Sequence, residues 1–185
     1  MINKLRQRIQ KELAGRYPPI SESGVQSFEA MHDIKLPETY RKCLIEVSNG
    51  ADNIFRLGEV DSGFDLATWS EEDGLIGRLS EPFPHTKEWN DLSGMPDHEY
   101  EDSNPVKYDQ ERELFEARYW GPINGAIPIA HLGCAIRHWI VVSGPERGSI
   151  WEDDRANLQG FYPLETDEGT RMDYIQWFDW QTSGT

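Results

Sequence analysis

The chain has 185 residues, enough for one domain with its own core and few for two. Its 18 Lys and Arg stand against 33 Asp and Glu, a net charge of −15 that repels phosphate backbones and excludes a general DNA binder. Seven Trp and 11% aromatics exclude a disordered chain, and no run approaches the ~20 apolar residues of a membrane span.

The charge is uneven. Residues 1–20 carry five basic groups against Glu12, a balance of +4, and the remaining chain sums to −19. The stretch 81–116 holds eleven acids against Lys87, Lys107 and Arg112, a balance of −8. Cys43 and Cys134 are too few for a disulfide scaffold and lack metal-ligand spacing. Met1–Tyr17 lacks the apolar stretch of a secretory signal. These features predict a reduced, cytoplasmic protein with no membrane or nucleic-acid partner.

Ile2, Leu5, Ile9 and Leu13 form one apolar stripe and predict a first helix, ended by Gly15 and Pro18-Pro19. Ser21 or Ser23 caps a second helix with Val25, Phe28 and Met31 as its apolar positions. Pro37 suits the first turn of a third helix, whose buried face is Tyr40, Leu44 and Val47. Asn49-Gly50 closes it. Residues 54–57 and 75–79 are weak strand candidates. The segment from Glu81 to about Asn104 reads as a polar excursion with few core positions, and 107–118 as a further helix.

The strongest sheet signal lies in Ala126–His131, Ala135–Ser143 and Ser149–Glu152, separated by Gly-containing turns. In the central run Ile136, His138, Ile140 and Val142 share one face and Arg137, Trp139 and Val141 the other, which predicts a middle strand. Met172, Ile175 and Phe178 mark a terminal helix that also carries Trp177 and Trp180. Helices before and after hairpin-linked strands predict an α+β fold, a central antiparallel sheet with flanking N-terminal and C-terminal helices.

The order Phe28-Glu29, Leu36-Pro37-Glu38-Thr39-Tyr40, Leu44 and Ser48-Asn49-Gly50 resembles the N-terminal signature of the SMI1/KNR4 (SUKH) superfamily. Ile127-Pro128-Ile129-Ala130, Ile140-Val141-Val142 and Ile150-Trp151-Glu152-Asp153-Asp154 resemble its later strands more loosely. The resemblance implies one SMI1/KNR4-like domain over 1–185, with a loop-rich acidic insertion around 60–118. It also implies a non-enzymatic binding role. Bacterial members are mostly immunity proteins that neutralise a toxin, often a nuclease; fungal members are interaction hubs. Two functions follow as expectations: steric and electrostatic blockade of a cognate basic toxin, or a regulatory interaction module with no toxin target. The signature residues Glu29, Leu36, Pro37, Tyr40, Leu44, Asn49 and Gly50 are expected to be architectural.

No catalytic, cofactor or metal set stands out. Cys43 reads as a core residue, and His138 as a hydrogen-bonded core histidine that could face His131 across a hairpin. Asp97–Asp102 lacks the glycine and distal glutamate of a calcium loop, and Glu152-Asp153-Asp154 reads as a solvated turn. Aromatics interleaved with acids have the composition of a contact patch for a basic partner. The candidate contact residues are Trp89, Asp97, Glu99, Tyr100, Glu101, Asp102, Tyr108 and Trp120.

Overall fold

A computed structural model describes residues 3–4, 6–7, 18–50, 54–61, 66–68 and 75–183. The apolar stripe Ile2, Leu5, Ile9 and Leu13 and the aromatic Trp69 lie outside the described residues. The described chain contains helices α1 (Glu22–His32), α2 (Glu38–Glu46), α3 (Glu99–Ser103), α4 (Pro105–Tyr119) and α5 (Tyr174–Gln181). Strands are β1 (Glu59–Asp61), β2 (Leu66–Thr68), β3 (Ala126–Gly133), β4 (Ile136–Val141), β5 (Ile150–Asp154) and β6 (Gly160–Pro163). The fold is α+β, built on a four-stranded antiparallel sheet in the order β3-β4-β5-β6, with β1-β2 as a separate pair.

The alternation in β4 divides the core. Ile140 and Val142 join the cluster on the sheet's first face, and Trp139 and Val141 join the cluster on its second. The β3–β4 pairing carries an irregularity between Pro128 and Ala130 that leaves Ile129 as the extra residue. Such a bulge turns two successive side chains to one side, and Ile129 and Ala130 both lie in the first cluster. Strand β6 was not visible in the sequence pattern, because its four residues end at a proline and are too few to show alternation.

Among the described residues, α1, α2 and α5 cover the first face. In α1, Ser21 accepts the Gly24 N–H as N-cap, and Val25 is buried. Met31 is exposed, contrary to the apolar pattern, and Glu29 is the buried residue on the inner side. Pro37 is the N-cap of α2 rather than its first helical residue. Tyr40, Cys43, Leu44 and Val47 are buried, and the Tyr40 and Tyr174 rings meet at 4.4 Å, joining α2 to α5. After α2 the Asn49 side chain accepts the Leu57 N–H at 2.9 Å. Gly50 takes φ 101°, a left-handed conformation in which a Cβ would meet the Ile54 carbonyl at 2.7 Å. The chain is thereby folded back so that Ile54 bridges Ala130 at the edge of β3.

Glu29 organises the α1–α2 junction. Its carboxylate accepts the Leu36 N–H at 2.9 Å and pairs with Lys35 at 3.2 Å and Arg41 at 3.5 Å, while the residue is only 2% exposed. Glu29→Ala leaves a buried N–H without an acceptor and is expected to cost about 1–3 kcal/mol in urea unfolding. Glu29→Gln keeps an acceptor oxygen and costs less; equal losses for the two would refute the assignment.

The second face is where the structure departs most from the sequence reading. Phe83 and Ile123 join the second cluster, and α4 adds Tyr108, Phe115 and Tyr119 as buried residues, whereas Leu79 belongs to the first cluster. Tyr108, Phe115 and Tyr119 recur at helical spacing, so α4 is amphipathic and must lie on something apolar. Phe83 meets Trp151 at 5.0 Å, Phe115 stacks on Tyr119 at 5.0 Å, and Tyr119 stacks on Trp89 at 5.6 Å. The excursion from Glu81 to Asn104 has few core positions, as its composition predicts, with Phe83 its one buried hydrophobic; Phe83, the half-buried Trp89 and Ile123 pack on the second face of the sheet, which explains why β4 is apolar on both faces. Burial of each such Phe or Ile removes apolar area worth roughly 1.5–3 kcal/mol.

Candidate functional site

Trp89 packs on this second face. Its backbone exchanges two hydrogen bonds with Phe161, at 2.8 and 2.7 Å, covering the outer edge of β6. Gly160 makes this approach possible, since a Cβ there would run into the Trp89 carbonyl oxygen. The Trp89 indole is half-buried, stacked on His85 at 4.9 Å. Tyr108 is 8% exposed. Both aromatics were candidates for direct contact; the structure seats Trp89 beside β6, and it buries Tyr108 on α4 with the His98 ring 6.1 Å from its own.

The remaining candidates lie further out. Asn104 caps α4 through its side chain, accepting the Lys107 N–H at 3.3 Å, and Pro105 takes the first helical position. The Asp97 side chain accepts the Glu99 N–H at 3.0 Å, and α3 follows. Asp97, Glu99, Glu101 and Asp102 are all exposed. Glu99 and Asp102 have no ion-pair partner among the described residues. Tyr100 is half-buried beneath Lys107, whose ammonium lies 3.6 Å from the ring centroid. Trp120 is 42% exposed at the end of α4, with the Arg155 guanidinium 5.2 Å from its ring.

The outer surface of α4 adds Leu114, 73% exposed, and Val106, 67% exposed, and the 91–97 loop adds Met95 at 39%. Sequence reasoning did not single these out. Residue order gives no sign that Leu114 is exposed, because adjacent helical positions lie only about 100° apart. Arg118 ties the loop to the helix, donating to Asp91 Oδ2 at 2.6 Å and Ser93 Oγ at 2.8 Å.

No family model, curated protein or solved structure matches this chain. Its reading therefore rests on its own geometry. Among the described residues no group of three or more His, Cys, Asp or Glu side chains converges as a metal site, and no helix is long and apolar enough to cross a membrane.

Cys43 and His138 are sealed, whereas Cys134 and His98 are exposed. Cys43 is fully buried, and burial pushes its thiol up to about 12. His138 does not face His131: β3 and β4 pair Ala130 with His138 and His131 with Arg137. Instead the fully buried His138 accepts from Trp177 Nε1 at Nδ1, 3.0 Å away, and meets Glu152 through Nε2 at 3.0 Å. This bond and that from the Tyr162 hydroxyl hold the Glu152 carboxyl below the usual carboxylate range, against the effect of burial.

The acid run 152–154 is not a solvated turn. It lies on β5, where Glu152 is half-buried, Asp153 is 2% exposed and Asp154 is 9% exposed. Asp153 is paired with the buried Arg155, which also donates to the Tyr119 carbonyl at 2.7 Å. That bond satisfies a carbonyl in the last turn of α4 and fixes the helix to the sheet.

His85 gives the second face an acid sensitivity. Burial, and secondarily the Arg155 charge, lower its pKa from 6.5 to about 4. The folded protein therefore holds the ring neutral while the unfolded chain takes up a proton. Stability from this site is whole above pH about 6.5 and declines as pH falls toward 4. His85→Phe is expected to remove that portion of the acid loss, measured as the difference between mutant and parent urea midpoints across this interval. Parallel pH profiles would refute the assignment.

Proposed function

We propose that this chain is a non-catalytic protein-binding domain of the SMI1/KNR4 type, an immunity protein that captures a cognate basic toxin. The observation that carries the reading is the exposed carboxylate group of Asp97, Glu99, Glu101 and Asp102 on and before α3, which packs against α4, in a chain of net charge −15. A nuclease must be positive where it meets phosphate, so an acidic inhibitor can occupy the same field. Long-range attraction raises the encounter rate and steric cover blocks the substrate. Neither step requires a cofactor, a metal or bond chemistry from the chain.

The order of the signature residues supports the family part of this reading, and the packing of Glu29, Leu36, Tyr40 and Leu44 gives those residues the architectural role such a signature requires. The test is co-expression with the toxin domain encoded beside this gene. Protection of the cell, and a complex whose association slows steeply with added salt, are expected. Failure to protect against that toxin or to bind it would reject the proposal. A neighbouring gene with no toxin domain would count against it.

A further inference from the structure

The 91–97 loop and α4 enclose an open groove of about 500 Å³. Its apolar lining is Met95, Leu114 and Phe115, and Asp97 and Glu111 also line it, Glu111 with the Lys107 ammonium 3.7 Å away. Arg118 is the cation on that lining, and its guanidinium is occupied by Asp91 and Ser93. The same contacts hold the loop against the helix, so the groove is formed before anything enters it. Past Asp97 in the chain stand the carboxylates of α3. An apolar floor bordered by acidic groups selects for an apolar side chain with basic neighbours.

We propose that this groove takes one aliphatic side chain from a basic segment of a partner protein, whose lysine or arginine neighbours lie against Asp97, Glu111 and the α3 carboxylates. This rests on the proposed capture of a basic protein and deepens it by dividing the work. The acids, spread along 81–116, set the rate of approach and its salt dependence. Met95 and Leu114 set the rate of departure, because apolar burial is not screened by salt. Binding of an acidic or purely polar segment is excluded by the same arrangement.

The test uses the full chain and methyl NMR, titrated with a short synthetic peptide of lysine and leucine spaced for one helical face. The control peptide has serine in place of leucine. Saturable shifts of the Met95 and Leu114 methyls are expected, with the serine peptide at least tenfold weaker. Leu114→Ser and Met95→Gln should each weaken the leucine peptide severalfold to tenfold. Met31→Ser, on the exposed side of α1, should change nothing. Leu114 is 73% exposed, so its replacement leaves the fold intact, which the unfolding midpoint checks. Equal binding of both peptides, or shifts spread over the acidic surface without saturation at Met95 and Leu114, would overturn the groove while leaving acidic capture standing. Absence of binding by either peptide at low salt would count against both. Shifts at Met95 and Leu114 that depend on protein concentration without peptide would assign the groove to a second copy and overturn the proposal.

Discussion

Replacing Asp153 with alanine is expected to lower the unfolding free energy by about 3–5 kcal/mol, because it strands a buried guanidinium. Arg155 is 1% exposed and Asp153 is 2% exposed. The two form a bidentate pair, Nε to Oδ1 at 2.8 Å and Nη2 to Oδ2 at 2.9 Å. The third nitrogen, Nη1, donates to the Tyr119 carbonyl at 2.7 Å, and the Phe161 ring lies 4.8 Å from the guanidinium carbon. No water-facing route is open to the cation once its partner is gone. Arg155→Leu should be similarly costly, since it leaves a buried carboxylate and an unpaired Tyr119 carbonyl.

The pair is a matched set rather than a sum of two contributions. Replacing both partners by apolar residues of similar volume should cost less than either single change, as a buried ion pair repays its desolvation only while intact. Urea unfolding of the three variants measures this directly. Single-mutant losses below about 1 kcal/mol would show that the pair is solvated in solution. The functional consequence lies in α4. Arg155 holds that helix by its last turn, so Asp153→Ala should also weaken binding of the proposed basic partner.

Trp177→Ala is expected to cost about 3–5 kcal/mol. Trp177 is fully buried in α5, between Tyr174 at 5.2 Å and Phe178 at 6.3 Å, and its indole N–H donates to His138 Nδ1. An indole nitrogen can only donate, so Nδ1 accepts and the His138 proton resides on Nε2, facing Glu152. The substitution removes the largest buried side chain of α5, opens a cavity on the first face and leaves a buried ring nitrogen without a donor. Trp177→Phe retains much of the volume and should cost about 1–3 kcal/mol, mainly from the lost hydrogen bond. Thermal unfolding separates the two. Equal losses would mean that packing alone seats the helix.

The two faces of the molecule differ in how far residue order reveals them. On the first face, α1, α2, β3, β4, β5 and α5 all follow from short-range rules: a serine cap, a proline before the helix, a closing glycine and alternation in β4. Each rule involves residues within one or two turns of each other, where local geometry and periodicity suffice. The core role of Cys43 and the hydrogen-bonded state of His138 are of this kind.

The second face depends on contacts between distant residues. Trp89 pairs with Phe161, Tyr119 with Arg155, and Phe83 with Ser143, across separations that periodicity does not span. The seating of Trp89 beside β6 and of the last turn of α4 beside Arg155 was therefore not visible locally, and Asp153 looked solvated when only its acidic neighbours were considered. The groove between the 91–97 loop and α4 likewise depends on Arg118 reaching back to Asp91 and Ser93. Composition and local pattern established an acidic α+β protein with aromatic payload. Long-range packing established which aromatics are buried and which carboxylates are exposed, because burial is a property of the assembled layers and not of any single segment.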